Sequence, residues 1–318
     1  MNERKGIAVA GTAIVDKIYG IGAYPGVGEL TKIMSINTAV GGLVLNDGID
    51  LKKLAPDLDV YALCKLGNDE EGHFALETMK NNGLDVSGVT FTDEKTSFTD
   101  VMSIIGGQRT FFTYPGASAD FGYDDIQWDT LNAKILHLGY FLLLDKVDNG
   151  DGLAILKEAK KRGISTSIDL VSESSDRYSL VIPCLPYVDN LIINETEAGN
   201  ITGIEPTEEN LEAIADKLLE MGVRERVILH MPMLGICKTR TSYTTMPSIN
   251  VPRDFIKGKT GAGDAFCAGA LLGIYKDLSD EEILEYAQIS AMASLRTPDA
   301  TSGIEEISKL RELAKQFQ

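Results

Sequence analysis

A glycine-rich turn that leads into a helix is the stretch of this sequence best suited to chemistry. Residues 258–264 read GKTGAGD, and the apolar residues after them recur at helical spacing as far as Ile274. Such a turn directs several backbone N–H groups at one point, where the helix dipole adds about half a positive charge. An anion bound there would be a phosphate, or the charge that develops on a phosphoryl group during its transfer.

Asp264, in the first turn of this helix, has two possible roles from its position alone. As a helix cap it would contribute about 1 kcal/mol to stability. Beside a bound phosphate it would repel the ligand, unless its task is to take a proton from an attacking hydroxyl as a general base. Both interpretations remain open at this point. Lys259, five residues earlier in the chain, supplies a fixed ammonium beside the turn.

Polar residues also follow the apolar runs that indicate buried parallel strands. Asp16 comes shortly after the run at residues 7–11, and ligands collect beyond the carboxyl ends of strands in an open α/β sheet. Asp16 is therefore either an acceptor for sugar hydroxyls or a solvated loop acid. The paired glycines Gly41 and Gly42 permit close backbone approach to a ligand, and Asn46 is placed to bind a hydroxyl. The alternative is a tight turn with an incidental asparagine.

A second oxygen-rich stretch follows the apolar run at residues 191–193. Residues 194–197 read NETE, so that two carboxylates and an amide lie at the end of a predicted strand. These groups suit a hydrated Mg²⁺, which prefers oxygen ligands and keeps several waters. The other interpretation is an ordinary charged helix start, where the helix dipole favours acidic residues.

Four motifs in this chain resemble those of the ribokinase-like (PfkB) carbohydrate kinases, and they occur in the same order. The resemblance covers almost the whole sequence. The matching residues are Gly41 and Gly42 with Asn46, Gly67 with Asp69, Asn194 with Glu197, and the stretch from Gly261 to Phe266. The motif at Gly67 is mainly structural, because Asp69 is expected to cap a helix.

This resemblance implies an ATP-dependent kinase that phosphorylates a hydroxyl of a sugar or a similar small molecule. It implies that Asp264 is the base and that the amides of the preceding turn stabilise the developing charge. It further implies that Mg²⁺ is held by Asn194 and Glu197, through water. The other implied site residues are Gly261, Ala262 and Gly263 in catalysis, Asp16, Gly41, Gly42 and Asn46 at the acceptor, and Asn194, His230, Gly235, Lys259, Gln288 and Ala291 at the nucleotide.

The sequence departs from the family pattern in two places. In the predicted nucleotide-side loop at residues 230–235, His230 and Pro232 stand where relatives carry threonine and a first glycine, and only Gly235 matches. Gly258 stands where relatives that use a monovalent cation carry an aspartate. We therefore expect catalysis to need little or no K⁺.

Three other functions are alternatives to a sugar kinase. A nucleoside kinase of the same family has the same motifs, and no residue in the sequence decides between the two acceptors. A non-catalytic sugar or nucleotide sensor on the same scaffold is favoured by the altered residues 230–235 and disfavoured by the intact Asp264. A dinucleotide-dependent oxidoreductase is excluded, because residues 11–16 read GTAIVD and lack the later glycines of the fingerprint.

Strand and helix patterns alternate along most of the chain, which predicts a doubly wound, mostly parallel sheet flanked by helices. We expect one α/β domain over residues 1–318. Residues of about 13–38 and 90–114 break the alternation, and Gly106-Gly107 is a hairpin signal. These segments predict either a small β lid or an antiparallel extension of the sheet. The family resemblance favours the lid, and it implies that the lid also forms a homodimer surface.

Composition limits the partners and the location. The 318 residues carry 30 basic and 47 acidic side chains, a formal net charge of −17. This balance disfavours binding to nucleic acid and to anionic membrane surfaces. The sequence shows no signal peptide and no membrane span, which predicts a cytoplasmic protein. Reduced core thiols are favoured over disulfides or zinc for the four separated cysteines, Cys64, Cys184, Cys237 and Cys267.

Overall fold

A nine-stranded sheet forms the centre of the computed structural model, which describes residues 4–104, 107–173 and 176–317. In chain order the strands are β1 (Ile7–Ala10), β2 (Ile14–Ile21), β3 (Ile33–Gly41), β4 (Val60–Gly67), β5 (Val89–Thr92), β6 (Phe98–Ile104), β7 (Arg109–Tyr114), β8 (Ile135–Phe141), β9 (Ser165–Leu170), β10 (Asn190–Asn194), β11 (Arg226–Met231), β12 (Leu234–Lys238) and β13 (Tyr243–Pro247). The order across the large sheet is β13-β12-β11-β10-β9-β8-β1-β4-β5. Strands β11 to β5 in this order pair in parallel, and β12 and β13 pair antiparallel at one edge.

Helices cover both faces of this sheet, which confirms the predicted fold class. The α-helices are α1 (Leu43–Leu54), α2 (Glu70–Asn81), α3 (Gly116–Ala119), α4 (Gly152–Lys161), α5 (Glu195–Thr202), α6 (Leu211–Glu220), α7 (Ala262–Tyr275), α8 (Asp280–Ser294) and α9 (Ile307–Ala314). A π-helical turn occupies Val147–Asp151, and 3₁₀ segments occupy Tyr123–Asp125, Arg177–Tyr187, Glu208–Asn210 and Lys315–Phe317.

The alternation of side chains along the central strands produces two cores. In β1, Ile7 and Val9 pack on one face with α1, α7 and α8, whereas Ala8 and Ala10 pack on the other with α4 and α6. Both sets of side chains are fully buried, because successive residues of a strand point to opposite faces. The continuous apolar runs in the sequence are therefore explained by helices on both sides of the sheet.

Helix caps lie where the sequence predicts them. The Asp69 carboxylate accepts a hydrogen bond of 2.8 Å from the Gly72 N–H at the start of α2. Ser279 followed three residues later by Glu282 is the sequence pattern of a capping box, and the two residues form the reciprocal capping box of α8. These caps are local in sequence, so their residue types alone were enough to predict them.

A separate four-stranded sheet, which we call the small sheet, consists of β3, β2, β6 and β7 in this spatial order. Strands β2 and β6 pair in parallel, and the other neighbours pair antiparallel. The predicted hairpin between β6 and β7 is present, although Gly106 lies outside the described residues. Asp16 lies within β2 opposite Ala39, and not in a loop after β1. None of the helices in the described residues has the length and apolarity that a membrane span requires.

Candidate active site

The carboxylate of Asp264 is held by two side chains from distant parts of the chain. The Asn46 amide donates a hydrogen bond of 2.8 Å to Asp264 Oδ2, and the Tyr140 hydroxyl donates one of 2.9 Å to Oδ1. Asn46 lies on α1, Tyr140 near the end of β8, and Asp264 in the first turn of α7. These elements meet beyond the carboxyl ends of the parallel strands, which is the usual ligand-binding edge of a doubly wound sheet.

Burial sets the acidity of this carboxyl group. Removal from water raises the pKa of Asp264 from its ordinary value of 3.8 to about 6, and the nearby charge of Asp169 acts in the same direction. The hydrogen bonds from Asn46 and Tyr140 oppose this rise, because they stabilise the charged form. The group is therefore mostly ionised at pH 7 and still basic enough to accept a proton.

The glycine turn before α7 has the strained backbone that only glycine adopts easily. Gly261 has φ of 76°, and a Cβ there would collide with the side chain of Ala300. The Ala262 N–H donates to the Lys259 carbonyl at 3.3 Å, so this amide is engaged within the turn. The N–H groups of Gly261 and Gly263 make no hydrogen bond within the described part of the chain. These two amides are available to an anion.

A small cavity of about 180 Å³ lies beside Asp264. Glu197 contributes to its wall, but this carboxylate is only 3% exposed and accepts hydrogen bonds from the Asn194 N–H at 3.1 Å and the Ser172 hydroxyl at 2.7 Å. Burial raises the pKa of Glu197 to about 7. The cavity is lined by Tyr140, Asp169, Leu170, Val171, Ser172, Ile192, Ile193, Asn194, Glu197, His230, Gly263, Asp264 and Cys267.

A larger cavity of about 570 Å³ adjoins the small one, since Asn194, His230 and Gly263 line both. Its wall is mainly apolar, as expected of a pocket that takes a flat organic ring. Lys259 contributes the positive charge among the residues of its wall. The predicted nucleotide-side residues Gln288 and Ala291 also lie in this wall. The wall further contains Met231, Pro232, Met233, Ile249, Val251, Ile256, Phe266, Met292 and Leu295.

His230 is neutral in this position. Burial lowers its pKa to about 4, and its ring packs against Phe266 at 4.9 Å between ring centres. A neutral imidazole can donate a hydrogen bond to a phosphate, but it brings no positive charge. Of the residues lining the larger cavity, Lys259 therefore carries the electrostatic attraction for an anion.

The segment at residues 230–235 is not a free loop. His230 and Gly235 are paired residues of the antiparallel strands β11 and β12, joined by a two-residue turn at Pro232 and Met233. Gly235 is buried and lines neither cavity, and a Cβ there would lie 2.9 Å from Gln288 Nε2. Its small size leaves room for the Gln288 side chain, which itself reaches the larger cavity.

Three of the predicted acceptor residues lie together at one side of Asn46. A Cβ on Gly41 would lie 2.8 Å from the Asp16 carboxylate, and Gly42 begins α1 with φ of 82°. Asp16, Gly41 and Gly42 line neither of the two cavities. The structure connects them to Asp264 through Asn46, whose backbone N–H donates to the Gly42 carbonyl at 3.0 Å.

Sequence reasoning missed Tyr140, which touches Asp264 directly. Its backbone is in the left-handed region with φ of 57°, and its N–H donates to Asp169 Oδ1 at 2.6 Å. A polar residue after the apolar run of β8 was the available signal, but 124 residues separate Tyr140 from Asp264. Asp169 was missed for the same reason, since it lies near the end of β9.

Comparison with known proteins decides the family. A family model described as pfkB family carbohydrate kinase matches residues 5–307. The chain belongs to this family. It is therefore a phosphotransferase with an alcohol group as acceptor.

Curated relatives are named as sugar kinases, and a solved structure has the same fold. The ribokinase of Arabidopsis thaliana is 24% identical over 97% of this chain and 81% of its own length. The probable fructokinase-6 of the same plant is 26% identical over 83% of this chain and 71% of its own. A structure of Arabidopsis thaliana ribokinase complexed with ribose and ATP aligns with a TM-score of 0.86 at 23% identity, covering 98% of this chain and 99% of that one.

Proposed function

We propose that this pfkB family member transfers the γ-phosphate of ATP to a hydroxyl of a sugar, with Asp264 as the general base. The observation that carries the proposal is the placement of this carboxylate between Asn46 and Tyr140, beside the unpaired amide of Gly263. A base must lie within hydrogen-bond reach of the hydroxyl that it deprotonates and close to the group that the resulting oxygen attacks. Asp264 combines both conditions at the start of α7.

ATP occupies the larger cavity in this proposal. Its volume of about 570 Å³ lies within the range of about 300–1,000 Å³ that ligand pockets usually have. The apolar wall suits adenine, and Gln288 and Ala291 lie on it. Gly263 and His230 border both cavities, so the triphosphate extends from the adenine in the larger cavity toward Asp264 beside the small one. The solved complex of the Arabidopsis ribokinase with ribose and ATP supports this assignment by similarity of fold.

Charge stabilisation during transfer comes from the turn before α7. The free N–H groups of Gly261 and Gly263 meet the positive end of the helix dipole, and they need no reorganisation when negative charge develops. Lys259 adds an ammonium on the nucleotide side. Asp264 accepts the proton of the acceptor hydroxyl as the new P–O bond forms and the bond to ADP breaks.

The residues at the start of α5 fit a hydrated Mg²⁺ and do not fit a bare one. Both oxygens of Glu197 already accept hydrogen bonds, from Ser172 and from the Asn194 backbone. Asn194 borders both cavities. These groups would hold the cation through its water molecules, and the bound ion would neutralise charge on the phosphates.

The sugar lies on the side of Asn46 that faces Asp16, Gly41 and Gly42. Burial raises the pKa of Asp16 to about 6, and its carboxylate makes no hydrogen bond to a described side chain. A partly desolvated acceptor of this kind is satisfied by sugar hydroxyls, which are good donors. The absence of a glycine side chain at positions 41 and 42 keeps the backbone close to the ligand.

The small sheet acts as a lid over the sugar and as a homodimer surface in this proposal. It contributes Asp16 to the acceptor side, and closing it would exclude water that competes for the phosphoryl group. Large apolar side chains are exposed on its strands, including Phe111 at 62%, Phe112 at 57% and Ile36 at 66%. Exposed apolar patches of this type mark interaction surfaces. We place the enzyme in the cytoplasm, where ATP and reduced cysteines are both found.

The test is ADP release by the purified protein with Mg²⁺ and ATP, across a panel of pentoses, hexoses and nucleosides. We expect turnover with at least one sugar and its loss in Asp264→Asn. Turnover with nucleosides alone would show that the acceptor is a nucleoside and not a sugar. Ligand-dependent thermal shifts without any turnover would show that the protein is a sensor and not a kinase.

A further inference from the structure

A buried group of metal-binding side chains lies next to Asp264 and has no part in the proposed reaction. We call Asp47, His137 and Cys267 the buried cluster. Asp47 and His137 are both 0% exposed, and Cys267 is 2% exposed. One possible ligand atom from each of Asp47, His137 and Cys267 lies within 4.8 Å of the other two.

The distances around His137 do not match ordinary hydrogen bonds to carboxylates. His137 Nε2 lies 3.6 Å from Asp47 Oδ2 and 3.9 Å from Asp169 Oδ2, whereas N–H···O bonds are about 2.7–3.2 Å long. Within the described parts of the chain neither oxygen of Asp47 accepts a hydrogen bond from nitrogen or oxygen, and the Cys267 thiol, a weak donor, interacts with it. A fully buried carboxyl group without a strong partner calls for an explanation, and a bound cation supplies one.

We propose that Asp47, His137 and Cys267 bind one divalent cation of the zinc class, with a water molecule from the adjoining small cavity as the fourth ligand. In a tetrahedral zinc site with Zn–N of about 2.0 Å and Zn–S of about 2.3 Å, the nitrogen and the sulfur lie about 3.5 Å apart. His137 Nε2 and Cys267 Sγ are 3.5 Å apart in the structure. His137 Nε2 and Asp47 Oδ2 are 3.6 Å apart, and the same geometry needs about 3.3 Å, so the Asp47 carboxylate has to move inward by about 0.3 Å.

The surroundings of the buried cluster have the features of a metal site. A metal-binding histidine usually hydrogen-bonds through its other ring nitrogen, and His137 Nδ1 lies 3.1 Å from the Ser167 hydroxyl. Asp169 lies just outside the cluster, with Oδ2 3.9 Å from His137 Nε2, and its other oxygen accepts the Tyr140 N–H at 2.6 Å. This carboxylate adds negative charge close to the position of the cation.

The ligand types select the metal, and the small cavity supplies the entry path. One thiolate, one imidazole and one carboxylate in a tetrahedral arrangement favour Zn²⁺ over Mg²⁺, which prefers six oxygens. Cys267 and Asp169 line the small cavity next to Asp264, so an ion can enter from the active site. On binding, the Cys267 thiol releases its proton to solvent and the sulfur donates a lone pair to the metal.

The experiment measures the metal directly, without relying on kinase activity. The full chain is produced without a histidine tag in zinc-supplemented medium, dialysed against metal-free buffer and analysed by mass spectrometry of elements. We expect about one Zn²⁺ per chain, the stoichiometry of a single tetrahedral site. In protein stripped of metal, added Co²⁺ should give the intense near-ultraviolet absorption of a cobalt–thiolate bond.

Cys267→Ser should abolish the cobalt–thiolate absorption and bind zinc much more weakly. Cys64→Ser is the matched control, because Cys64 is equally buried but lies on β4 outside the cluster. Ser167→Ala keeps all three protein ligands and should weaken zinc binding about 10- to 100-fold, as loss of an outer contact does. Circular dichroism shows whether each variant is folded.

Two results would overturn the site: wild-type protein that stays metal-free at equimolar zinc, or a cobalt spectrum without a thiolate band. The assay is also independent of the proposed function. Sugar phosphorylation by a protein that binds no zinc would contradict the zinc site and support the proposed kinase. Zinc binding by a protein without turnover would support the zinc site and contradict the proposed kinase.

Discussion

Replacing Asp264 by asparagine should stabilise the protein while it destroys activity. The pKa of this carboxyl rises from 3.8 to about 6 on folding, mainly because burial disfavours its charge. A difference of this size makes the ionised group cost about 3 kcal/mol of folding free energy at neutral pH. Asparagine removes that cost but loses one of the hydrogen bonds from Asn46 and Tyr140, at about 1 kcal/mol. Because the side chain keeps some contact with solvent, we expect a net gain of about 1–2 kcal/mol.

The sign of the pH dependence follows from the raised pKa. The folded protein holds the Asp264 proton more tightly than the unfolded chain, so wild-type stability is lost as pH rises from 3.8 to about 6. The advantage of Asp264→Asn should therefore be absent near pH 4, grow up to about pH 6, and stay constant above it. Urea unfolding at several pH values, with equal slopes for both proteins, measures this difference.

Activity and a surface control complete the test. In the same preparations Asp264→Asn should lose at least about 10²-fold in turnover, the usual contribution of a general base. Asp57→Asn removes an exposed carboxylate and should change neither the free energy of unfolding nor the turnover. Equal stability of wild type and Asp264→Asn from pH 4 to pH 8 would refute the desolvated carboxylate, and near-normal turnover would refute its role as base.

Three further predictions concern neighbouring residues and ions. Tyr140→Phe removes a hydrogen bond that lowers the pKa of Asp264. The acidic limb of the pH profile of kcat/KM should therefore move up from about pH 6 by about one pH unit. An acidic limb at the same pH in both proteins would contradict the contact. Gly261→Ala should cost about 2–4 kcal/mol in urea unfolding, since it adds a collision with Ala300 to backbone strain. Gly163→Ala has a similar φ of 71° and open space around it, so it should cost only the strain of about 1 kcal/mol; equal losses would refute the collision. Exchange of Na⁺ for K⁺ should change turnover by less than about twofold, which is far below the contribution of a bound ion that stabilises charge. A many-fold rise in turnover would show that another residue replaces the missing aspartate.

Several site features were predictable because their causes are local. Asp69 and Ser279 are capping residues at fixed spacing from the amides or carboxylates that they bind. The turn before α7 was recognisable from its glycines, since Gly261 adopts φ of 76°. The family motifs added Asn46, which no local pattern connects to Asp264, and the structure gives that pair a hydrogen bond across 218 residues of chain.

Other features were misread or missed because the partners are distant in the chain. The segment at residues 230–235 resembles a loop in composition, yet pairing of β11 with β12 makes it a hairpin. Gly235, which the family resemblance implies at the nucleotide, packs against Gln288 and lines neither cavity. The spacing of the cysteines in the sequence does not distinguish them, whereas in the described structure Cys267 lies beside His137.

The sequence by itself determined the α/β class, the capping residues Asp69 and Ser279 and the glycine-rich turn before α7, because these follow from hydrophobic period, capping chemistry and glycine. Tertiary structure alone decided which side chains meet at the ends of the strands. Tyr140 reaches Asp264 across 124 residues, and Cys267 reaches His137 across 130. Such contacts depend on the order and register of parallel strands, which no short-range pattern encodes, since every buried strand has the same apolar appearance.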